Sequence, residues 1–255
     1  MALALVAIMS VQSTMAWSGF GHSAAAYIAE QHLTPKAKAE CRKYLGHTLP
    51  FYASWMDSWR YIDPFKETTY WHVNRVDSKW RVVYDNKRSA IYNVERIYKE
   101  MRNNYQNLPD SLVRQNLLFL VHMVPDMHCP VHTFFDKKHF PEFDYRLYNK
   151  GKKFKRHALG DGSPSFRRRG WTIEKYSRVV DVINEKTAKA YMKGTPRKWA
   201  DDAAKQAIRF YKFVPELTDI AEMSDKQVAD LHEIADEMIL KSGYRLAALL
   251  NEIFK

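Results

Sequence analysis

The sequence predicts an all-α protein folded as a single domain. Apolar residues recur at helical spacing from Ser23 almost to the C-terminus. Capping residues, early prolines and glycines mark where those helices start and stop. The 255 residues, 46% hydrophobic and 14% aromatic, suffice for a sizeable core, and no internal repeat or low-complexity tract points elsewhere.

A first helix is read over Ser23 to His32. Thr34-Pro35 opens the next, with Thr as N-cap and Pro at the first helical position, and Gly46 stops it after Leu45. Ser89 to Arg102 and Leu112 to Val124 follow. The latter is apolar nearly all round (Leu117, Leu118, Phe119, Leu120, Val121), the pattern of a central, buried helix. Thr172 to Met192 and Pro196 to Phe213 read as two more. Ser224 opens the last, with Gln227 completing a capping box. Its apolar positions Val228, Leu231, Ile234, Ala235, Met238 and Ile239 keep the helical period as far as Leu250. Phe134 to Arg169 breaks the pattern. Lys and Arg alternate there with Tyr and Phe, and its Gly and Pro content predicts loops and a short hairpin. Interleaved base and aromatic suits a nucleic-acid strand, although an ordinary exposed loop can look the same.

The start reads as a secretory leader over residues 1–16. Ala2 to Met9 is a run of eight apolar residues, too short to span a bilayer. Thr14-Met15-Ala16 then offers small residues for cleavage, although no basic residue precedes the run. A secreted or periplasmic protein beginning at Trp17 is expected, with no transmembrane segment. Lys plus Arg outnumber Asp plus Glu by 40 to 29, a net +11 that favours polyanions without naming one. Cys41 and Cys129 are too few for a thiolate zinc site, so any metal is expected to use His and carboxylates.

The strongest local signal runs from His122 to His132, His-Met-Val-Pro-Asp-Met-His-Cys-Pro-Val-His. His122 and Asp126, four apart, share one helix face, and His132 follows the break at Pro130. Imidazole and carboxylate on an otherwise apolar helix are costly to bury without a strong partner, and both are ligands suited to zinc. Pro125 removes a helix hydrogen bond just before Asp126. His157 and Asp161 repeat the four-residue spacing, but Gly160, Gly162 and Pro164 favour a loop there. Asp57 and Arg60, three apart, have the spacing of a surface ion pair. Trp71-His72 fits a core pair. Trp17 and His22 follow the predicted cleavage point, where a freed amine and its neighbouring carbonyl can chelate a metal.

Together these segments resemble the trinuclear-zinc, single-strand-specific nucleases of fungi, plants and bacteria, which share a fold with bacterial zinc-dependent phospholipase C. The resemblance rests on Trp17 with His22, on Ala53-Ser54-Trp55-x-Asp57-x-x-Arg60, on Trp71-His72, on the His122 to His132 core and on Gly243-x-Arg245-Leu246-Ala247 to Asn251. It implies one helical domain over residues 17–255 with a three-zinc cleft. One ion would be held by Asp57, His72, His122 and Asp126. A close neighbour would be held by the Trp17 amine and carbonyl, by His22 and by Asp126 as a bridge. The third would be held by His132, His157 and Asp161, with His139 and Glu142 as a fallback pair. His128 matches a histidine that is not a ligand. Arg60 would steady phosphoryl charge and Asp57 would orient the attacking water.

The sequence departs from that family around the substrate. Pro141-Glu142-Phe143 stands where Gly-Gly-Asn is common. Cys129 replaces a usual Gln, Pro125 a usual Gly, Gly160 a usual aromatic, and Arg75 an acid or Asn. The resemblance implies a phosphodiesterase that cuts single-stranded DNA or RNA to 5′-nucleotides, with 3′-nucleotidase activity as well. A zinc-dependent phospholipase C and a secreted zinc-binding protein without turnover remain open. No protein partner is implied.

Overall fold

The computed structural model describes residues 17–135, 146–149, 152–155, 157–158, 160–162, 169–213, 221–222 and 224–255. The leader, and His139 and Glu142, lie outside the described residues, as does much of the basic segment.

Helices dominate, as the periodicity predicts. The chain enters through α1 (Gly19–Gln31), which buries an alanine-rich face of Ala24, Ala25, Ala26, Ile28 and Ala29. In α2 (Pro35–Leu45) the Thr34 side chain accepts from the Ala37 amide, and Gly46 closes the helix at φ 75°, a left-handed conformation that glycine adopts without a Cβ penalty. Two short helices follow, α3 (Leu49–Tyr52) and α4 (Trp55–Trp59). Then come α5 (Ala90–Asn104), capped by Ser89, and α6 (Asp110–His128). Every residue of α6 from Asn116 to His128 is buried, so it is the central helix its composition predicts. It runs past Val124 and through Pro125, ending where Cys129 turns extended.

The expected helix from Thr172 to Met192 is two, α7 (Ile173–Val180) and α8 (Glu185–Met192). The break has a tertiary cause. The Asp181 carboxylate takes the Tyr244 hydroxyl at 2.6 Å and lies 2.8 Å from His32 Nε2, while Asn184 caps the restart by accepting from the Thr187 amide. Helix α9 (Pro196–Phe213) and helix α10 (Asp225–Ile253) complete the fold, the latter opened by the reciprocal Ser224–Gln227 capping box.

The described strands are short. β1 (Asn74–Val76) pairs in parallel with β2 (Thr133–Phe135), placing Asn74 opposite Thr133. β3 (Arg146–Asn149) and β4 (Lys152–Lys155) form the hairpin expected in the basic segment, and β5 (Ala221–Glu222) adds in parallel to β3.

Helices α1 and α10 cross closely because Gly243 lacks a side chain. A Cβ there would lie 2.7 Å from Ile28 Cγ2 and 2.9 Å from the Ala25 carbonyl oxygen. The backbone carbonyl cannot rotate away as a side chain could. Helix propensity alone favours alanine by about 1 kcal/mol, so the crossing decides the sign. Gly243→Ala is expected to lower the free energy of unfolding by about 1–3 kcal/mol, read as a lower urea midpoint at unchanged slope. An equal or higher midpoint would show that the two helices yield without cost.

Candidate metal centre

Five parts of the chain meet at one buried point: α1 with His22, α4 with Asp57, the segment before β1 with His72, α6 with His122 and Asp126, and the turn before β2 with His132. The parallel β1–β2 pairing holds His72 and His132 side by side, and the His132 Nδ1–H donates to the His72 carbonyl at 2.7 Å. Asn74 donates to the Met127 carbonyl at 2.9 Å and accepts from the Ile91 amide at 3.3 Å, which pins the strand to α6. His122 and Asp126 share a face of α6 as the four-residue spacing predicts, with the His122 Nδ1–H donating to the Ala53 carbonyl at 2.7 Å. Backbone acceptors behind two of these rings leave their Nε2 atoms directed at the cluster, the usual outer arrangement for a metal-ligating histidine.

The donor spacing fits zinc. Ligands about 2.0–2.1 Å from a tetrahedral ion stand about 3.3 Å from one another. His72 Nδ1 lies 3.1 Å from His122 Nε2, and each lies 3.7 Å from Asp57 Oδ1. Asp126 Oδ2 is 2.9 Å from the former and 3.1 Å from the latter. The other Asp126 oxygen, Oδ1, is 3.3 Å from His22 Nε2 without the alignment of a hydrogen bond. The His22 ring stacks on His122 at 4.0 Å. A third group lies beside these, with His132 Nε2 3.6 Å from Asp161 Oδ1 and His157 Nε2 3.0 Å from Asp161 Oδ2.

Electrostatics also call for a cation. Both nitrogens of His22, both oxygens of Asp57, His72 Nε2 and Asp126 Oδ1 are buried with no hydrogen-bond partner among the described residues. Each such group costs about 1–3 kcal/mol, and a carboxylate more. Burial would push the Asp126 carboxyl up, yet His122 and His132 outweigh it and hold it well below the usual range. Burial opposes charge on His132, but Asp126 and Asp161 overcome it and lift that imidazole to about 9. Burial pushes His72 down to about 4, and burial with the nearby His122 lowers His22. The carboxylates therefore draw a proton onto His132 while burial keeps His22 and His72 neutral, free to offer lone pairs, and a divalent ion can replace the charge of that proton.

Three expectations need correction. Asp57 and Arg60 are not a surface pair: their side chains are 2% and 7% exposed, with Arg60 Nη1 3.3 Å from Asp57 Oδ1. His72 belongs to the cluster rather than to an inert core pair. His157 and Asp161 do not sit in a loop, since residues 157–158 and 160–162 are helical. Gly160 permits that turn because it presses on Val131, where a Cβ would fall 2.3 Å from Cγ1. An aromatic side chain cannot occupy this position, which accounts for the departure noted there.

His128 points away from the cluster. Its Nδ1–H donates to the Val124 carbonyl at 2.7 Å, and its Nε2 accepts from Arg245 Nη1 at 2.9 Å. Burial and then Arg245 push it down to about 3, so it is a neutral link between α6 and α10. Arg245 also binds Asp202 at 2.6 Å, which explains the buried arginine of the closing motif. His47 stacks on Phe51 at 4.0 Å and His32 faces Asp181, both outside the cluster. Trp17 is fully buried. Its indole N–H donates to the Pro125 carbonyl at 3.0 Å, and the Ser18 amide donates to the Asp161 carbonyl at 3.0 Å, so the expected mature start is anchored between α6 and the last ligand. Sequence reasoning missed Cys129, whose Sγ lies 3.3 Å from Asp161 Oδ1. Its place in His-Cys-Pro-Val-His, three residues before a ligand, was the signal available.

Comparison with known proteins agrees with this geometry. A family model described as S1/P1 Nuclease matches residues 17–255. Nuclease S1 of Aspergillus oryzae is 23% identical, the match covering 95% of this chain and 93% of that protein. Nuclease P1 of Penicillium citrinum is 25% identical, over 93% of this chain and 97% of its own length. Nuclease PA3 of a Penicillium species is 24% identical with the same coverage.

Proposed function

The chain belongs to the S1/P1 nuclease family, the zinc-dependent hydrolases of phosphodiester bonds, and on that premise we propose that it is a secreted endonuclease of single-stranded DNA and RNA. It yields 5′-nucleotides, also removes 3′-phosphates, and works with three zinc ions. The observation that carries this reading is the buried set of orphaned His and Asp donors around Asp126. Asp57, His72, His122 and Asp126 would hold the first ion. The Trp17 amine and carbonyl, His22 and Asp126 would hold its neighbour, and His132, His157 and Asp161 would hold the third. Zinc supplies Lewis-acid polarisation and activates water near neutral pH. Three divalent ions bring six positive charges, of which Asp57, Asp126 and Asp161 offset half, leaving a field suited to phosphate.

The protein's own groups do the rest. Asp57 orients the attacking water with its second oxygen. Arg60, held against Asp57, meets the phosphoryl oxygens and steadies their charge. Tyr61 is 55% exposed and its ring lies 5.0 Å from the Arg60 guanidinium, so an aromatic face lies next to the phosphate-binding cation. Splayed bases stack on such faces at about 1–3 kcal/mol each, and a duplex keeps its bases inside the helix. Cleavage of a leader before Trp17 is supported by the family match starting at that residue. Among the described residues no helix is long and apolar enough to cross a membrane.

The test is a panel of single-stranded DNA, duplex DNA, RNA, a 3′-nucleotide and a choline phospholipid. Single strands are expected to be cut at least tenfold faster than duplex, with binding that weakens steeply as salt rises. Faster release of the phospholipid headgroup than of any nucleotide would replace this reading with a phospholipase C. No turnover of any substrate by zinc-loaded protein would leave a zinc-binding protein only.

A further inference from the structure

We infer that Cys129 is a sulfur ligand of the third metal site, the one formed by His132, His157 and Asp161; the inference rests on the zinc reading above. Cys129 ends α6 in an extended conformation, with Pro130 fixing the turn that follows, and its side chain sits at the edge of the apolar core, where it meets the His and Asp cluster. The thiol is 1% exposed, and His132 and Asp161 are 3% and 5% exposed. One donor atom from each of the three lies within 4.8 Å of the other two.

Asp161 divides its oxygens between its neighbours. Oδ2 faces His157 Nε2 at 3.0 Å, while Oδ1 faces both His132 Nε2 at 3.6 Å and Cys129 Sγ at 3.3 Å. A sulfur about 2.3 Å and an oxygen about 2.0 Å from one tetrahedral zinc stand about 3.5 Å apart. The Cys129 thiol donates a hydrogen bond to Oδ1 at that distance, and the same spacing suits two ligands on a common ion. On binding, the Sγ–H bond is lost, the proton passes to solvent, and the sulfur lone pair forms the bond to the metal.

Thiolate and carboxylate together cancel the charge of a divalent ion. The third ion then chiefly ties residues 157–162 to the end of α6, and phosphate is met by the ions around Asp126.

The test uses the purified protein loaded with cobalt(II) in place of zinc, alongside Cys129→Ser and Cys41→Ser. Cys41 is buried in α2, away from the cluster, and serves as the control. The wild type is expected to show a near-ultraviolet sulfur-to-cobalt charge-transfer band, lost in Cys129→Ser and kept in Cys41→Ser. X-ray absorption at the zinc edge of the wild type is expected to show sulfur at about 2.3 Å, so the inference stands or falls even where Cys129→Ser does not fold. Visible cobalt bands with no charge-transfer band, or a zinc shell of nitrogen and oxygen only, would overturn the sulfur ligand and leave the metal centre intact. Failure of the wild type to take up either metal would overturn both.

Discussion

Asp126→Ala is expected to lose most of the bound zinc and to lower the rate of phosphodiester hydrolysis by more than about 100-fold, the upper range for outer-shell partners of a metal site. The reason is positional. Asp126 is the carboxylate whose two oxygens face four different imidazoles: Oδ2 faces His72 and His122, and Oδ1 faces His22 and His132. Removing it would deprive both ions of the proposed close pair of a donor at once and, among the described residues, leave Asp57 as the carboxylate beside His72 and His122. His157→Ala is expected to cost less. That ring is 26% exposed and serves the outlying site only. Elemental analysis and single-strand cleavage, measured on both variants, settle the order. Wild-type zinc and rate in Asp126→Ala, or a larger loss in His157→Ala, would contradict the assignment of Asp126 as the bridge.

A single extra residue before Trp17 is expected to remove one ion and to lower the rate by orders of magnitude without unfolding the protein. A peptide nitrogen has its lone pair delocalised into the carbonyl and is a poor donor, whereas a free amine is a good one. Trp17 cannot move aside to compensate, because its indole is fixed to the Pro125 carbonyl and the next amide is fixed to Asp161. Without the second ion of the proposed close pair the attacking water would lose much of its activation. Two preparations, one starting at Trp17 and one at an added Met, are verified by mass spectrometry and compared for zinc content and rate. Helical circular dichroism is expected to match between them. Equal zinc and equal rate would reduce Trp17 to an aromatic that plugs the end of α6.

Much of this was legible in the sequence because helices are local. The Thr34-Pro35 start and Gly46 stop of α2, the Ser224–Gln227 box of α10 and the buried run of α6 are set by residues within a turn or two of one another. The same locality put His122 with Asp126 on a shared face, whereas the glycines and proline around Asp161 pointed to a loop. The resemblance assembled His122, Asp126, His157 and Asp161 with His22, Asp57, His72 and His132 into one expected centre.

What the tertiary structure alone decided depends on contacts between distant segments. Packing separates the clustered histidines from His32, which answers to Asp181, and gives the reason why His128, already set apart by the resemblance, is no ligand: it answers to Arg245. Only packing buries Asp57 with Arg60, a spacing that read as a solvated pair. The split at Asp181 follows from a carboxylate drawn to Tyr244 and His32, and the glycine at 160 from the pressure of Val131. Cys129 is the sharpest case. A count of two cysteines argued against sulfur at zinc, but a buried thiol 3.3 Å from a carboxylate that also faces two imidazoles supports the inference drawn above, because ligand spacing is a property of folded space and not of sequence order.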